Sequence, residues 1–86
     1  MHRLVVTTGF VRQARRLVKR DPRLKVRLNR VLKLLARDLD HPSLKLHKLS
    51  GQNNWSVSVT SDIRIIFHWD GSTIYCTDIG KHDEVY

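Results

Sequence analysis

Cysteine is nearly absent. Cys76 is the single thiol among 86 residues, which excludes an intramolecular disulfide and a cysteine-based zinc site and fits a reducing cytoplasm. No apolar run approaches the roughly 18 residues that a membrane span requires. The opening Met1-His2-Arg3-Leu4-Val5-Val6 is too short for a signal peptide and lacks a small-residue cleavage site. Internal repeats and low-complexity linkers are missing, as are the GxSxG elbow, the Walker loop, the dinucleotide fingerprint and the HExxH metal motif. No metal or cofactor is therefore expected. What remains is enough for one domain, residues 1–86. Hydrophobic residues make up 41% of the chain, too many for a disordered basic tail. A domain this small buries only about 60–65% of its unfolded surface, so marginal stability and support from a partner are expected.

Charge is the most conspicuous feature. Sixteen Lys+Arg face 8 Asp+Glu, for a formal charge of +8 and a pI near 10.4. The excess is local. Residues 1–48 hold 14 basic and 3 acidic side chains; residues 49–86 hold 2 and 5. A concentrated positive field attracts a polyanion, and nucleic acid is the first candidate. An anionic surface, an acidic protein or a merely solvated helix face is also compatible with it.

The basic half reads as two helices. Phe10, Ala14, Leu17 and Val18 recur at helical spacing, with Arg12, Arg15, Arg16, Lys19 and Arg20 opposite. Thr8 is the expected N-cap. Asp21-Pro22 ends this helix and starts the next, Asp21 as cap and Pro22 in the first turn. The second helix carries a stripe of Leu24, Leu28, Val31, Leu32, Leu35 and Leu39. So short a link makes an αα-hairpin with its basic faces outward. Past His41-Pro42-Ser43 the pattern alternates, first over Leu44 to Leu49 and then from Trp55 to Thr60 after a Gly51-Gln52-Asn53-Asn54 turn. Ile63–Trp69 is the most apolar strand and the expected centre of the sheet. Asp70-Gly71 signals a hairpin, and Thr73–Ile79 returns as its partner. Leu4–Val6 adds an N-terminal edge strand. The order predicts an α+β fold: an αα-hairpin on one face of a four- to five-stranded antiparallel sheet.

The other sheet face holds the candidate chemistry. By alternation Arg64, Ile66 and His68 share one face, and Ile63, Ile65 and Phe67 the other. Arg64 is a charge inside an apolar strand and must reach a counter-ion, solvent or a phosphate. Ion pairing with Asp62 or Asp78 is the structural alternative. Among the histidines, His41 reads as a turn residue, His68 as a structural one and His2 as inert. His47 and His82 flank the sheet. Cys76 reads as a small core residue.

Four segments taken together resemble the RelE/ParE superfamily of toxins, in particular its YafQ-like branch. They are His41-Pro42-Ser43-Leu44-Lys45-Leu46-His47-Lys48-Leu49-Ser50-Gly51, Trp55-Ser56-Val57-Ser58-Val59, Arg64-Ile65-Ile66-Phe67 and Asp78-Ile79-Gly80-Lys81-His82-Asp83-Glu84-Val85-Tyr86. The resemblance covers nearly the whole chain. It implies the toxin of a type II toxin–antitoxin module, acting in the cytoplasm as a ribosome-dependent endoribonuclease that cuts mRNA. It also implies an acidic antitoxin partner, with ribosome and mRNA as targets and neither membrane nor small-molecule ligand. His47, Asp62, Arg64, His82 and Tyr86 match catalytic positions of the family. Ser56 and Ser58 stand where relatives carry basic strand residues. Lys45, Lys48, Lys81, Arg12, Arg16, Arg27 and Arg30 are the expected RNA contacts. ParE-type members share the fold but inhibit DNA gyrase, and a non-catalytic RNA-binding protein is a further alternative.

Overall fold

The computed structural model describes residues 2–51 and 53–81. Strand β1 (Arg3–Val6) leads through Thr7 into helix α1 (Thr8–Arg20), followed by helix α2 (Leu24–Arg37). A short 3-10 turn (Pro42–Leu44) precedes β2 (His47–Lys48), β3 (Asn54–Ser58), β4 (Ile63–Trp69) and β5 (Thr73–Lys81). The strands form one sheet in the order β1-β5-β4-β3-β2. The most apolar strand, β4, is therefore central, as its composition predicts.

The helices form because their apolar residues fall on one stripe each. Phe10 and Ala14 of α1 and Leu24, Leu28, Val31 and Leu35 of α2 are buried. They meet Val57, Ile65, Phe67, Ile74, Cys76 and Ile79 from the sheet. Burying this shared face is the main stabilising term. The arginines and lysines between these positions stay exposed, as the charge pattern requires.

The structure departs from the sequence reading at four places. The cap of α1 is Thr7, whose Oγ1 accepts from the Phe10 amide at 3.1 Å; Thr8 is the first helical residue. Asp21 does not cap α2 directly. Its carboxylate accepts from the Arg23 amide and Nε at 3.3 and 3.1 Å, and α2 begins at Leu24. The alternating stretch after Pro42 is mostly not strand. The His41 Nδ1 accepts from the Ser43 amide at 3.2 Å, and Lys45 takes a left-handed conformation (φ 49°), which together make a compact turn. Only His47 and Lys48 then pair with β3.

Finally, the sheet is mixed rather than antiparallel. β1 pairs parallel to β5, with Val5 beside Tyr75 and Val6 beside Cys76. Side-chain alternation sets which face a strand buries but carries no information on its neighbour or direction. Here the helical hairpin takes the chain across the sheet to its far edge, so the outer edge of the β4–β5 hairpin is left for β1. Where β1 ends, Thr7 N–H donates to the Cys76 carbonyl at 3.1 Å, and the buried Ile79 amide donates to Gln13 Oε1 of α1 at 3.0 Å. The β4–β5 turn is closed by Asp70, whose Oδ1 accepts from the Ser72 and Thr73 amides at 3.0 and 2.8 Å. Those donors hold its carboxyl below the ordinary range. Gly71 adopts the positive φ (98°) that the turn requires.

Candidate active site on the open sheet face

Strand register fixes which side chains share the face turned away from the helices, because directly paired residues point the same way. One row runs His47–Ser56–Ile66–Asp78 across β2, β3, β4 and β5. The row toward one end is Ser58–Arg64–Gly80, and the row toward the other is Asn54–His68–Tyr75, continued by Val5 of β1. A bulge between Ile66 and Phe67 inserts Thr77 between the pairs made by Cys76 and Asp78.

Arg64 is the organising residue of this face. Its Nε donates to Ser56 Oγ at 3.3 Å, and its Nη2 donates to the same oxygen and to the Lys45 carbonyl, each at 3.1 Å. Among the described residues no carboxylate reaches this guanidinium, and the ion pair found there is Arg23–Asp21 instead. The ion-pair alternative is thus replaced by neutral oxygens. They satisfy part of the donor fork without cancelling its charge, and they leave Nη1 directed at no partner among the described residues. Ser56 is fully buried (0% exposed), so its hydroxyl is a fixed anchor. The left-handed backbone at Lys45 turns a carbonyl toward the guanidinium, at a position where a non-glycine residue pays strain. An oriented arginine with unspent donors on an open face is equipped to bind a phosphate.

His47 is exposed on β2 and stands opposite Ser56, so the imidazole and the guanidinium flank one hydroxyl-bearing position. Asp62 lies in the exposed turn before β4, its amide donating to Thr60 Oγ1 at 3.1 Å. His82 and Tyr86 lie outside the described residues. Cys76 is buried with its thiol pushed up to about 12 by burial, which removes it as a nucleophile at neutral pH.

The expected RNA contacts divide. Arg27 and Arg30 of α2 line a cleft of about 280 Å³ together with Ser43, Lys45, Ser58 and Thr60. That cleft adjoins the Ser58–Arg64 pair, so these three cations extend the positive charge from Arg64 toward α2. Lys48 turns to the opposite face, its Nζ 5.1 Å from the Trp55 ring centre. Lys81 is paired with Ile63 and likewise alternates away from Arg64. Arg12 and Arg16 are exposed on α1. Sequence reading missed Ser56. The signal available was the pairing of a small polar residue with an arginine on adjacent strands, but which hydroxyl the guanidinium meets depends on register.

An αα-hairpin packed on a five-stranded sheet is also the fold of several solved toxin structures. No protein-family model and no curated protein matches the sequence. Solved structures match over the whole fold. The Escherichia coli DinJ–YafQ complex superposes with a TM-score of 0.84 at 17% identity, covering 100% of this chain and 99% of that one. A metal-bound toxin from Helicobacter pylori gives 0.83 at 22% identity, with both chains covered in full. The YoeB/ParE toxin from Agrobacterium tumefaciens gives 0.77 at 20%, covering 93% and 98%.

Proposed function

We propose that this protein is the toxin of a type II toxin–antitoxin module and acts as an endoribonuclease on mRNA at the ribosome. The observation that carries the reading is Arg64, held on the open sheet face by Ser56 and the Lys45 carbonyl, beside His47 and without an anionic partner among the described residues. The likeness of fold to YafQ and to YoeB/ParE-type toxins supports it.

RNA carries its own nucleophile. The 2′-oxygen attacks the adjacent phosphorus, the bond to the 5′-oxygen breaks, and a 2′,3′-cyclic phosphate and a 5′-hydroxyl result. The protein must take the 2′-OH proton, protonate the leaving oxygen and stabilise charge on the phosphorane. His47 and His82 are the acid–base pair, since imidazole titrates near neutrality. Arg64 holds the phosphate through its free donors. Tyr86 stacks on a base or orients the sugar, and Asp62 tunes a histidine or the 2′-OH. Arg27, Arg30 and Lys45 supply sequence-independent attraction to the RNA backbone. A small acidic antitoxin covers these charges, in keeping with the complex of YafQ with DinJ.

The test is an in vitro translation reaction followed by primer extension. Wild-type protein should create new mRNA 5′ ends, and His82→Ala should cut roughly two to four orders of magnitude more slowly while keeping its thermal melt. Wild-type cleavage by His82→Ala overturns the catalytic assignment. Loss of DNA supercoiling activity without RNA cleavage would replace it with the gyrase-inhibitor reading.

A further inference from the structure

We propose that Tyr75, with His68 beside it, is a stacking platform for an unpaired RNA base, placed along the open face from the phosphate that Arg64 holds. The proposal rests on the RNA-cleaving reading of that face and adds a base-binding subsite to it.

Tyr75 sits in the middle of β5 and is 36% exposed, although the neighbouring Ile74 and Cys76 are fully buried on the other face. Its ring lies 6.3 Å from that of His68, tilted by 47°. Val5, its partner on β1, is 38% exposed and extends the apolar surface sideways. Asn54 closes the same row on the β3 side and brings an amide that both donates and accepts. The result is a strip of aromatic and apolar side chains lying open where a solvent-facing sheet surface is ordinarily polar.

Position identifies the occupant. His68 is four residues from Arg64 on the same strand and face, a separation of about 13 Å. That span is bridged by a nucleotide or two of extended single strand. The ionisable groups nearest the strip disfavour a second phosphate. Asp78 stands on the open face beside Ile66, between the Arg64 row and the Tyr75 row. Asp70, two residues beyond His68 in the β4–β5 turn, is an anion as well. Arg3 is the cation on that side, at the outer corner of β1 beside Thr73. An uncharged ring therefore suits the strip better than a phosphate does. Sheets that display aromatic side chains bind splayed-out bases in this manner, with little sequence preference from stacking itself.

The probe is a short fluorescent oligoribonucleotide carrying 2′-O-methyl groups throughout, which binds but cannot be cut. Tyr75→Ala should weaken its binding roughly five- to a hundredfold, the range expected for loss of one base–aromatic stack. Tyr75→Phe should bind within about twofold of wild type, since the ring and not the hydroxyl stacks. Moving a single abasic site along the probe should reveal one position at which wild-type protein loses that same factor and Tyr75→Ala loses nothing further. Wild-type affinity in Tyr75→Ala, equal weakness in the Phe and Ala variants, absence of such a position, or failure of wild-type protein to bind the probe each overturns the platform. If Tyr75→Ala instead loosens only a protein partner, the strip is a protein-docking surface and the platform is likewise lost. The two readings fail separately. A wild-type protein that cuts no RNA but shows the Tyr75 pattern loses the nuclease assignment and keeps the subsite. An active nuclease whose Tyr75→Ala variant binds normally keeps the assignment and loses the subsite.

Discussion

Ser56→Ala isolates the contribution of the anchor from that of the charge it holds. The change removes one hydroxyl and leaves a side chain of nearly the same volume, so the surrounding β3 and β4 packing is retained. It deletes the acceptor for two of the three hydrogen bonds that orient Arg64, at 3.1 and 3.3 Å, and leaves the bond to the Lys45 carbonyl. A hydrogen bond to a charged group contributes about 1.5–3 kcal/mol. If that anchoring is realised in full when charge develops on the phosphorane, cleavage slows roughly ten- to a hundredfold. Arg64→Ala removes the donor itself and should cost more, on the order of 10²–10³. The assay is single-turnover cleavage of programmed mRNA on the ribosome, scored by primer extension. The loss in Ser56→Ala should fall on the rate at saturation more than on the half-saturating concentration, because the charge that attracts RNA is still present. Ser56→Ala cutting at the wild-type rate while Arg64→Ala is inactive would refute the reasoning. The guanidinium would then be oriented by its substrate, and the bonds to Ser56 would be incidental.

Three further outcomes are expected. Arg27→Ala and Arg30→Ala should each lower RNA affinity uniformly across sequences and reduce the slope of log affinity against log salt by about one, measured by titration at several ionic strengths. Leu35→Ala empties a site that is 0% exposed in the core shared by the helices and the sheet; it should cost roughly 3–5 kcal/mol and lower the melting temperature by more than about 10 °C in calorimetry. Cys76 has its thiol raised to about 12 in the folded chain, against an ordinary value of 9.0. The unfolded chain therefore releases this proton first. The stabilisation is complete below about pH 9 and is lost as the pH rises toward 12. Denaturation followed across alkaline pH should show that loss, and Cys76→Ala should flatten it.

Much of this protein was legible in its residues because the signals are local. The apolar stripe Leu24–Leu28–Val31–Leu35, the run Ile63–Trp69 and the Asp70-Gly71 turn each specify an element through periodicity or backbone preference. Parity along β4 likewise assigned Arg64 and His68 to one face. Local signals misled where two short-range effects competed. Leu44 and Leu46 alternate as a strand does, yet the His41–Ser43 cap and the left-handed Lys45 make that stretch a turn. Thr7 and Thr8 offer the same hydroxyl, and only the direction of the incoming β1 decides which one caps α1.

By itself, the amino-acid order determined the two amphipathic helices, the central strand, the clustering of positive charge in the first half and the single unreactive thiol. These follow from hydrophobic period and composition, which act between near neighbours. Tertiary structure alone decided that β1 runs parallel to β5, that Arg64 rests on Ser56 and the Lys45 carbonyl rather than on a carboxylate, and that Tyr75 lies open beside His68. Each of those contacts joins separate elements of the chain. Such pairings are chosen by strand register and by the burial of the common core, a property of the whole fold and not of any one segment.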